Sequence, residues 1–332
     1  GELGKELAEM YECMPHYYRV TNRHGQGAGT IMRAEALFYQ GHVTDAHIEL
    51  ERAYAQVGGN GQINMALCCD FLSWRLSLHT DVERRYTFSE RYAALLRYHD
   101  ASWINIWSAT SAYYHALRGE TDKIPEIFSQ HRLSDIHLLA PGKPMMEMIE
   151  NQVYLAQGAY AKVVGRSAEL LAACEAMHYA LVALHIRVQT AAAYARLGKP
   201  ETAHTWLQKA LSDAGPDGLV MPFAENYSLL KPLLARETRS AFAARITALG
   251  EAAQARGAER LRPAAFRALT AREFEIVELM VQRLSNREIA QKCYLSEGSV
   301  KQYVNQIYSK LHIEGDTRTK RAQLAALLHE KT

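Results

Sequence analysis

Ser285-Asn286-Arg287-Glu288-Ile289-Ala290-Gln291-Lys292-Cys293-Tyr294-Leu295-Ser296-Glu297-Gly298-Ser299-Val300-Lys301 is the stretch on which the reading of this chain turns. Its first four residues have the S/T-x-x-E form, in which a hydroxyl and a carboxylate satisfy the orphan amides of a helix start reciprocally. Ser296 is a cap of the same kind, placing a helix start near Glu297. Fifteen residues upstream of Ser285, Thr270-Ala271-Arg272-Glu273 shows the box again. Three helix starts within thirty residues predict a small helical module.

The helices so bounded each offer an apolar face. The first carries Phe274, Val277, Val281 and Leu284, and the short second carries Ile289, Ala290 and Cys293. The third carries Val300, Val304, Ile307 and Leu311 on one helical stripe. Opposite that stripe lie Gly298, Lys301, Gln302, Asn305 and Gln306, and no Asp or Glu occurs from 298 to 313. A solvated helix face ordinarily mixes Glu with Lys. Gln and Asn can pair bidentately with adenine edges, and Lys can donate to guanine O6 and N7, so Lys301, Gln302 and Asn305 are candidate base-reading residues. Gly298 would let the helix start approach DNA closely.

Leu269-Thr270-x-Arg272-Glu273, Leu284-Ser285-Asn286-Arg287-Glu288-Ile289-Ala290, Leu295-Ser296-Glu297-x-Ser299-Val300-Lys301 and Lys310-Leu311 together resemble the LuxR-type helix-turn-helix family. The resemblance implies that the 296–311 helix enters the major groove, with Lys301, Gln302 and Asn305 facing bases. It places Arg287, Ser296, Ser299, Tyr303 and Lys310 near phosphates. It further implies a fourth helix, from about Arg318 to Leu328, that supplies a homodimer contact on DNA. Tyr303 stands where the family has His, and Arg283 and His312 stand where it has Gly. The loop Glu314-Gly315-Asp316-Thr317 is long for the family.

Upstream, Gly41, Gly119, Gly158 and Gly198 break the helical periodicity at separations of 78, 39 and 40 residues. The midpoint of the first gap falls at Thr80, so five units with a period near 39 are predicted, the mark of a helical solenoid. Seven residues before each break stand Ala34, Ser73, Ala112, Asn151 and Ala191, small in four cases so that helices can approach. After the break, Ala46 and Ala53 match Ala203 and Ala210. These units resemble the tetratricopeptide repeat. The match is poor over 73–92, where Arg85 and Tyr92 replace the small residues. A period above that family's 34 residues predicts longer helices, a looser superhelix and a concave surface for a ligand or partner. Eight aromatics crowd residues 86–114. They serve either as inter-helix contacts or as a stacking surface, for which Trp74, Trp103, Trp107 and Tyr113 are the candidate effector contacts.

The remaining signals narrow the class. At 332 residues, with 48% apolar and 22% charged content, the chain is long enough for more than one domain. Residues 264–332 hold 11 Lys and Arg against 8 Asp and Glu, a modest basic excess. Five cysteines without a C-x-x-C pair argue against a disulfide framework or thiolate zinc site. His42 with His47, and His178 with His185, lack a third metal ligand. Gly25-Gln26-Gly27-Ala28-Gly29-Thr30 fails both the dinucleotide and the phosphate-loop patterns. Neither a nucleophile elbow nor a membrane span is legible, so a non-enzymatic cytoplasmic protein without a cofactor is expected.

The expected organisation is all-α. A tetratricopeptide-like solenoid occupies 1–235, a connecting helix and linker 236–263, and a four-helix LuxR-type module 264–332. The order of parts, including Asp217-Gly218-Leu219-Val220-Met221-Pro222-Phe223, resembles the large ATP-binding LuxR regulators, the group of the maltose-regulon activator. That resemblance implies a regulator, with duplex DNA and RNA polymerase as partners, and ATP only in a module ahead of this chain. The start at Gly1 fits a piece of a longer protein. Two other readings stay open: a protein-interaction scaffold, and a sigma-factor-like module acting with RNA polymerase.

Overall fold

A computed structural model describes residues 2–20, 25–57, 62–81, 84–98, 101–136, 142–237, 240–260 and 263–329. All of the regular elements among them are helices, as the periodicity predicts. Contacts divide the chain into two compact units, 1–254 and 255–332. No helix among the described residues is long and apolar enough to cross a membrane.

The first unit opens with α1 (Glu2–Val20) and continues as helix pairs. These are α2 (Ala28–Tyr39) with α3 (Val43–Val57), α4 (Ile63–Leu76) with α5 (Phe88–Leu95), and α6 (Ala101–Leu117) with α7 (Glu126–Ser129). Then come α8 (Lys143–Ala156) with α9 (Tyr160–Ala176) and α10 (Ala180–Arg196) with α11 (Pro200–Ala214). The four break glycines sit between the partners of a pair with φ from +70° to +81°, a backbone that costs side-chain-bearing residues strain. Ala34, Ala112 and Ala191 ahead of the breaks, and Ala46, Ala53, Ala203 and Ala210 behind them, are fully buried. The second and third pairs are cut short. Arg85 and Tyr92 are exposed, α5 has eight residues and α7 only four.

The loose superhelix with a concave face, expected from the repeat period, is corrected by the chain beyond α11. The helices α12 (Met221–Glu225), α13 (Tyr227–Leu234) and α14 (Ala241–Arg260) carry the chain back to α2, so the first helices of the pairs close into a ring. The Val220 amide donates to the Tyr39 carbonyl at 2.8 Å, Gln40 Nε2 to the Asp217 carbonyl at 3.1 Å, and Arg245 to the Gln40 carbonyl at 2.8 Å. At this seam a Cβ on Gly41 would lie 2.8 Å from side-chain atoms of both Val220 and Leu249. Within the stretch expected as a connecting helix and linker, 236–263, Ser240 Oγ accepts from the Ala243 amide at 3.1 Å at the start of α14. That helix is not a free connector. Ala243 and Ile246 are buried, and Gly250 lies so close to Tyr227 that a Cβ would fall 2.2 Å from its ring.

The inward positions of the ring carry a polar network. Arg75 on α4 and Glu225 on α12 form a two-point ion pair at 2.7 and 3.0 Å, with side chains 2% and 0% exposed. Arg75 also donates to Tyr39 Oη at 2.8 Å, and Tyr113 donates to Glu225 at 3.0 Å. The guanidinium lies 4.6–5.6 Å from the ring centroids of Phe38, Tyr39, Phe71 and Tyr113. His185 on α10 reaches both tyrosine hydroxyls, at 3.4 and 3.5 Å, and burial together with Arg75 holds it well below the ordinary histidine range. Gln189, Gln152 and Asn226 continue the network, each link 3.0 Å. Every first helix of a pair therefore contributes a polar side chain to the centre.

The second unit contains α15 (Ala271–Val281), α16 (Asn286–Cys293), α17 (Glu297–Lys310) and α18 (Thr317–His329). Its core is apolar, built on Phe266, Ile276, Val277, Met280, Ile289, Cys293, Val300, Ile307 and Leu324. The α16 face is the one read from sequence. On α15 the buried stripe is turned toward Ile276 and Met280, leaving Phe274, Val281 and Leu284 half-buried.

Candidate nucleic-acid interface

The three caps form as the spacing requires. Thr270 and Glu273 exchange amide bonds of 2.7 and 3.2 Å, and Ser285 and Glu288 bonds of 2.7 and 3.3 Å. Ser296 Oγ accepts from the Ser299 amide at 3.0 Å. These bonds fix where α16 and α17 begin. Between the two helices Tyr294 adopts φ +53°, and the Arg272 guanidinium donates to the Cys293 carbonyl. The module thereby holds α17 by its start, by Val300 and Ile307 in the core, and by its end.

At that end Lys310, expected near a phosphate, has a partner inside the protein. Its Nζ lies 2.8 Å from Glu273 Oε2, while the lysine side chain stays 40% exposed. Burial pushes the Glu273 carboxyl up, but Lys310 and the two Thr270 donors outweigh it and hold the group below its ordinary range. α18 is anchored by Arg321, which donates to the Leu284 carbonyl at 3.1 Å.

The solvent face of α17 is polar, and beyond Glu297 at its first residue it carries no acid. Lys301, Gln302, Asn305 and Gln306 are exposed together, with Gly298 at the N-terminal end of the same helix. A Cβ at Gly298 would meet only Ser296 Oγ at 3.7 Å, so nothing inside the protein calls for glycine there. Arg287 and Ser296 are exposed, Ser299 and Tyr303 half-buried, and the Ser296 and Ser299 hydroxyls share a 2.8 Å bond. Tyr294, which sequence reasoning passed over, is 95% exposed at the α16–α17 turn. Its only sequence signal is an aromatic outside any apolar stripe. Arg283 and His312 take φ +64° and +52°, the left-handed geometry for which glycine is suited.

The four candidate effector residues of the first unit do not come together. Trp74 is buried under Phe88, stacked at 3.2 Å, and Tyr113 belongs to the central polar network. Trp103 is half-buried on α6, while Trp107 lines an open groove. Among the described residues no group of three His, Cys, Asp or Glu side chains could hold a metal ion.

Comparison with known proteins bears on the second unit. Residues 267–322 match the family model for the bacterial regulatory proteins of the luxR family. The chain is 44% identical over 50 residues to the transcriptional regulatory protein LnrK of Bacillus subtilis (strain 168). That match covers 15% of this chain and 23% of the relative, so the chain spans about a quarter of its length. No solved structure matches the chain. The capped three-helix arrangement and the family match agree on the same residues: 267–322 form a helix-turn-helix domain of the LuxR family.

Proposed function

We propose that the chain is a DNA-binding transcription regulator, acting in the cytoplasm as an activator, in which α17 reads the major groove. Lys301, Gln302 and Asn305 contact base edges, and Arg287, Ser296, Ser299 and Tyr303 lie against phosphates. The observation that carries this reading is the α17 face, four exposed donor-rich side chains without one carboxylate beyond Glu297. Gly298 supports it, since its lack of a side chain serves nothing internal. The Glu273 pair leaves Lys310 the weakest of the proposed phosphate contacts.

One such module is small for strong specificity, so two copies bind a pseudo-palindrome with half-sites about one helical turn apart. In this reading the first unit, with its repeated helix pairs of tetratricopeptide-like spacing, is the effector- or partner-sensing part. RNA polymerase is the downstream partner.

The test is selection of bound sequences from random duplex DNA by the intact chain, followed by titration of the enriched site. Lys301→Ala should weaken specific binding by roughly 1–3 kcal/mol and relax the preference at one position of each half-site. An unchanged affinity in a folded K301A protein would remove Lys301 from base reading. Absence of any enriched sequence, with capture of a stable protein through residues 1–254, would move the scaffold reading to the front.

A further inference from the structure

The helix pairs are complete in the first, fourth and fifth units and cut short in the second and third. With α5 and α7 so short, one face of α6 is left partly uncovered by the described residues. The result is a groove of about 670 Å³ walled by Phe88, Tyr92, Trp107, Ile127 and Ile136. That volume falls within the range of roughly 300–1,000 Å³ typical of small-molecule sites.

Its walls are held in place. The Trp107 indole N–H donates to the Phe88 carbonyl at 3.1 Å, and the Tyr92 and Trp107 rings lie 4.7 Å apart. On the floor, Ser108 and Ser111 are one turn apart on α6, 6% and 3% exposed. Neither hydroxyl has a hydrogen-bond partner among the described residues. Thr110 between them bonds the Ile106 carbonyl at 3.1 Å, as helical hydroxyls usually do when nothing else is offered. Both hydroxyls line the groove and are available to bond a ligand there.

The charge of the lining selects the ligand class. Lys123 and Glu126 offset each other, and His115 is bonded to Glu120 at 2.7 Å, with burial holding it below the ordinary histidine range. The groove therefore presents aromatic walls, the buried hydroxyls of Ser108 and Ser111 with Ser89 and Asn105 beside them, and one lysine balanced by one glutamate.

We propose that this groove is a binding site for an uncharged planar aromatic molecule, which stacks on Trp107 and Tyr92 and hydrogen-bonds Ser108 and Ser111. The site deepens the sensing role read for the first unit and rests on that reading only for its consequence on DNA. The probe is N-phenyl-1-naphthylamine, an uncharged aromatic with one N–H, titrated into the full chain with its fluorescence as readout. Saturable enhancement is expected, with the dissociation constant raised at least tenfold by Ser111→Leu, which fills the floor. The exposed-wall variant Tyr92→Ala, which touches no core, should weaken binding several-fold without moving the thermal melt.

Equal binding in both variants, or no saturable signal in the parent, overturns the site. If the probe binds as expected but the chain enriches no DNA sequence, the site stands and the regulator reading falls.

Discussion

The two units place their charges differently. In the first, an arginine and a glutamate 150 residues apart meet where the ring's helices converge, ringed by four aromatic side chains and two tyrosine hydroxyls. In the second, the interior is apolar, and the one buried carboxylate among its described residues, Glu273, sits at a helix start with a lysine that still reaches solvent. A buried pair adds little net stability over apolar packing, but it penalises any arrangement in which the partners fail to meet. The first unit uses it to fix which helices face one another. The second needs no such device, because three caps already set the helix boundaries.

The largest expected effect breaks the central pair. Arg75→Met leaves Glu225 buried without its cation and should cost the first unit about 3–5 kcal/mol. All four tryptophans (Trp74, Trp103, Trp107, Trp206) lie in that unit, so urea unfolding followed by their fluorescence reports on it alone. Adding Glu225→Gln should restore part of the loss, since no bare charge remains. A single-mutant loss below about 1 kcal/mol would show that the pair specifies nothing.

Acid should separate the units next. His185 is neutral in the fold with a lowered pKa, so its contribution is present above the unfolded value of about 6.5 and is lost as pH falls below it. Glu273 also has a lowered pKa, but as a carboxyl its contribution is full above about 4.5 and is lost only as pH falls further. Amide hydrogen exchange from pH 7 to 4 should show the first unit loosening before the second. The reverse order would mean that other groups govern acid stability.

Asn151 sharpens the comparison from within the ring. It occupies a position that is alanine in three other units, and its fully buried side-chain amide has no partner among the described residues. Asn151→Ala should raise first-unit stability by about 1 kcal/mol, the unmet amide outweighing a small cavity. A loss of similar size in the same urea titration would mean that the amide is satisfied in solution.

The smallest effect lies in the second unit. Arg283→Gly and His312→Gly relieve left-handed backbone and should each add about 0.5 kcal/mol, read as slower exchange in α16 and α17.

Legibility from the residues alone tracks the range of the interactions. Caps act over three residues, so the starts of α15, α16 and α17 were legible from Thr270, Ser285 and Ser296. The α17 polar face came from the same boundaries. The repeat breaks were legible because glycine has a local reason to stand at positive φ. Ring closure was not, because Arg75 looks like any surface arginine until Glu225 arrives from another part of the chain. The α6 groove was hidden for a related reason: it is made by the surface that α5 and α7 fail to cover, and only Trp107 of its walls stood out as a candidate. Trp74 and Tyr113 drew attention as aromatics, and their burial explains why they are aromatic.

The seam between residues 39–41 and 217–220 also changes how the first unit must come apart. A linear array of repeats contacts only its neighbours, so it can fray one unit at a time from either end. Here the ends are joined to each other, and loss of the last helices exposes the first pair and strips Arg75 of its partner. The unit should unfold as one block, and during synthesis its interior stays incomplete until residue 225 has been made. Truncations that remove α12 to α14 are therefore expected to fail as a whole rather than leave a shorter working array.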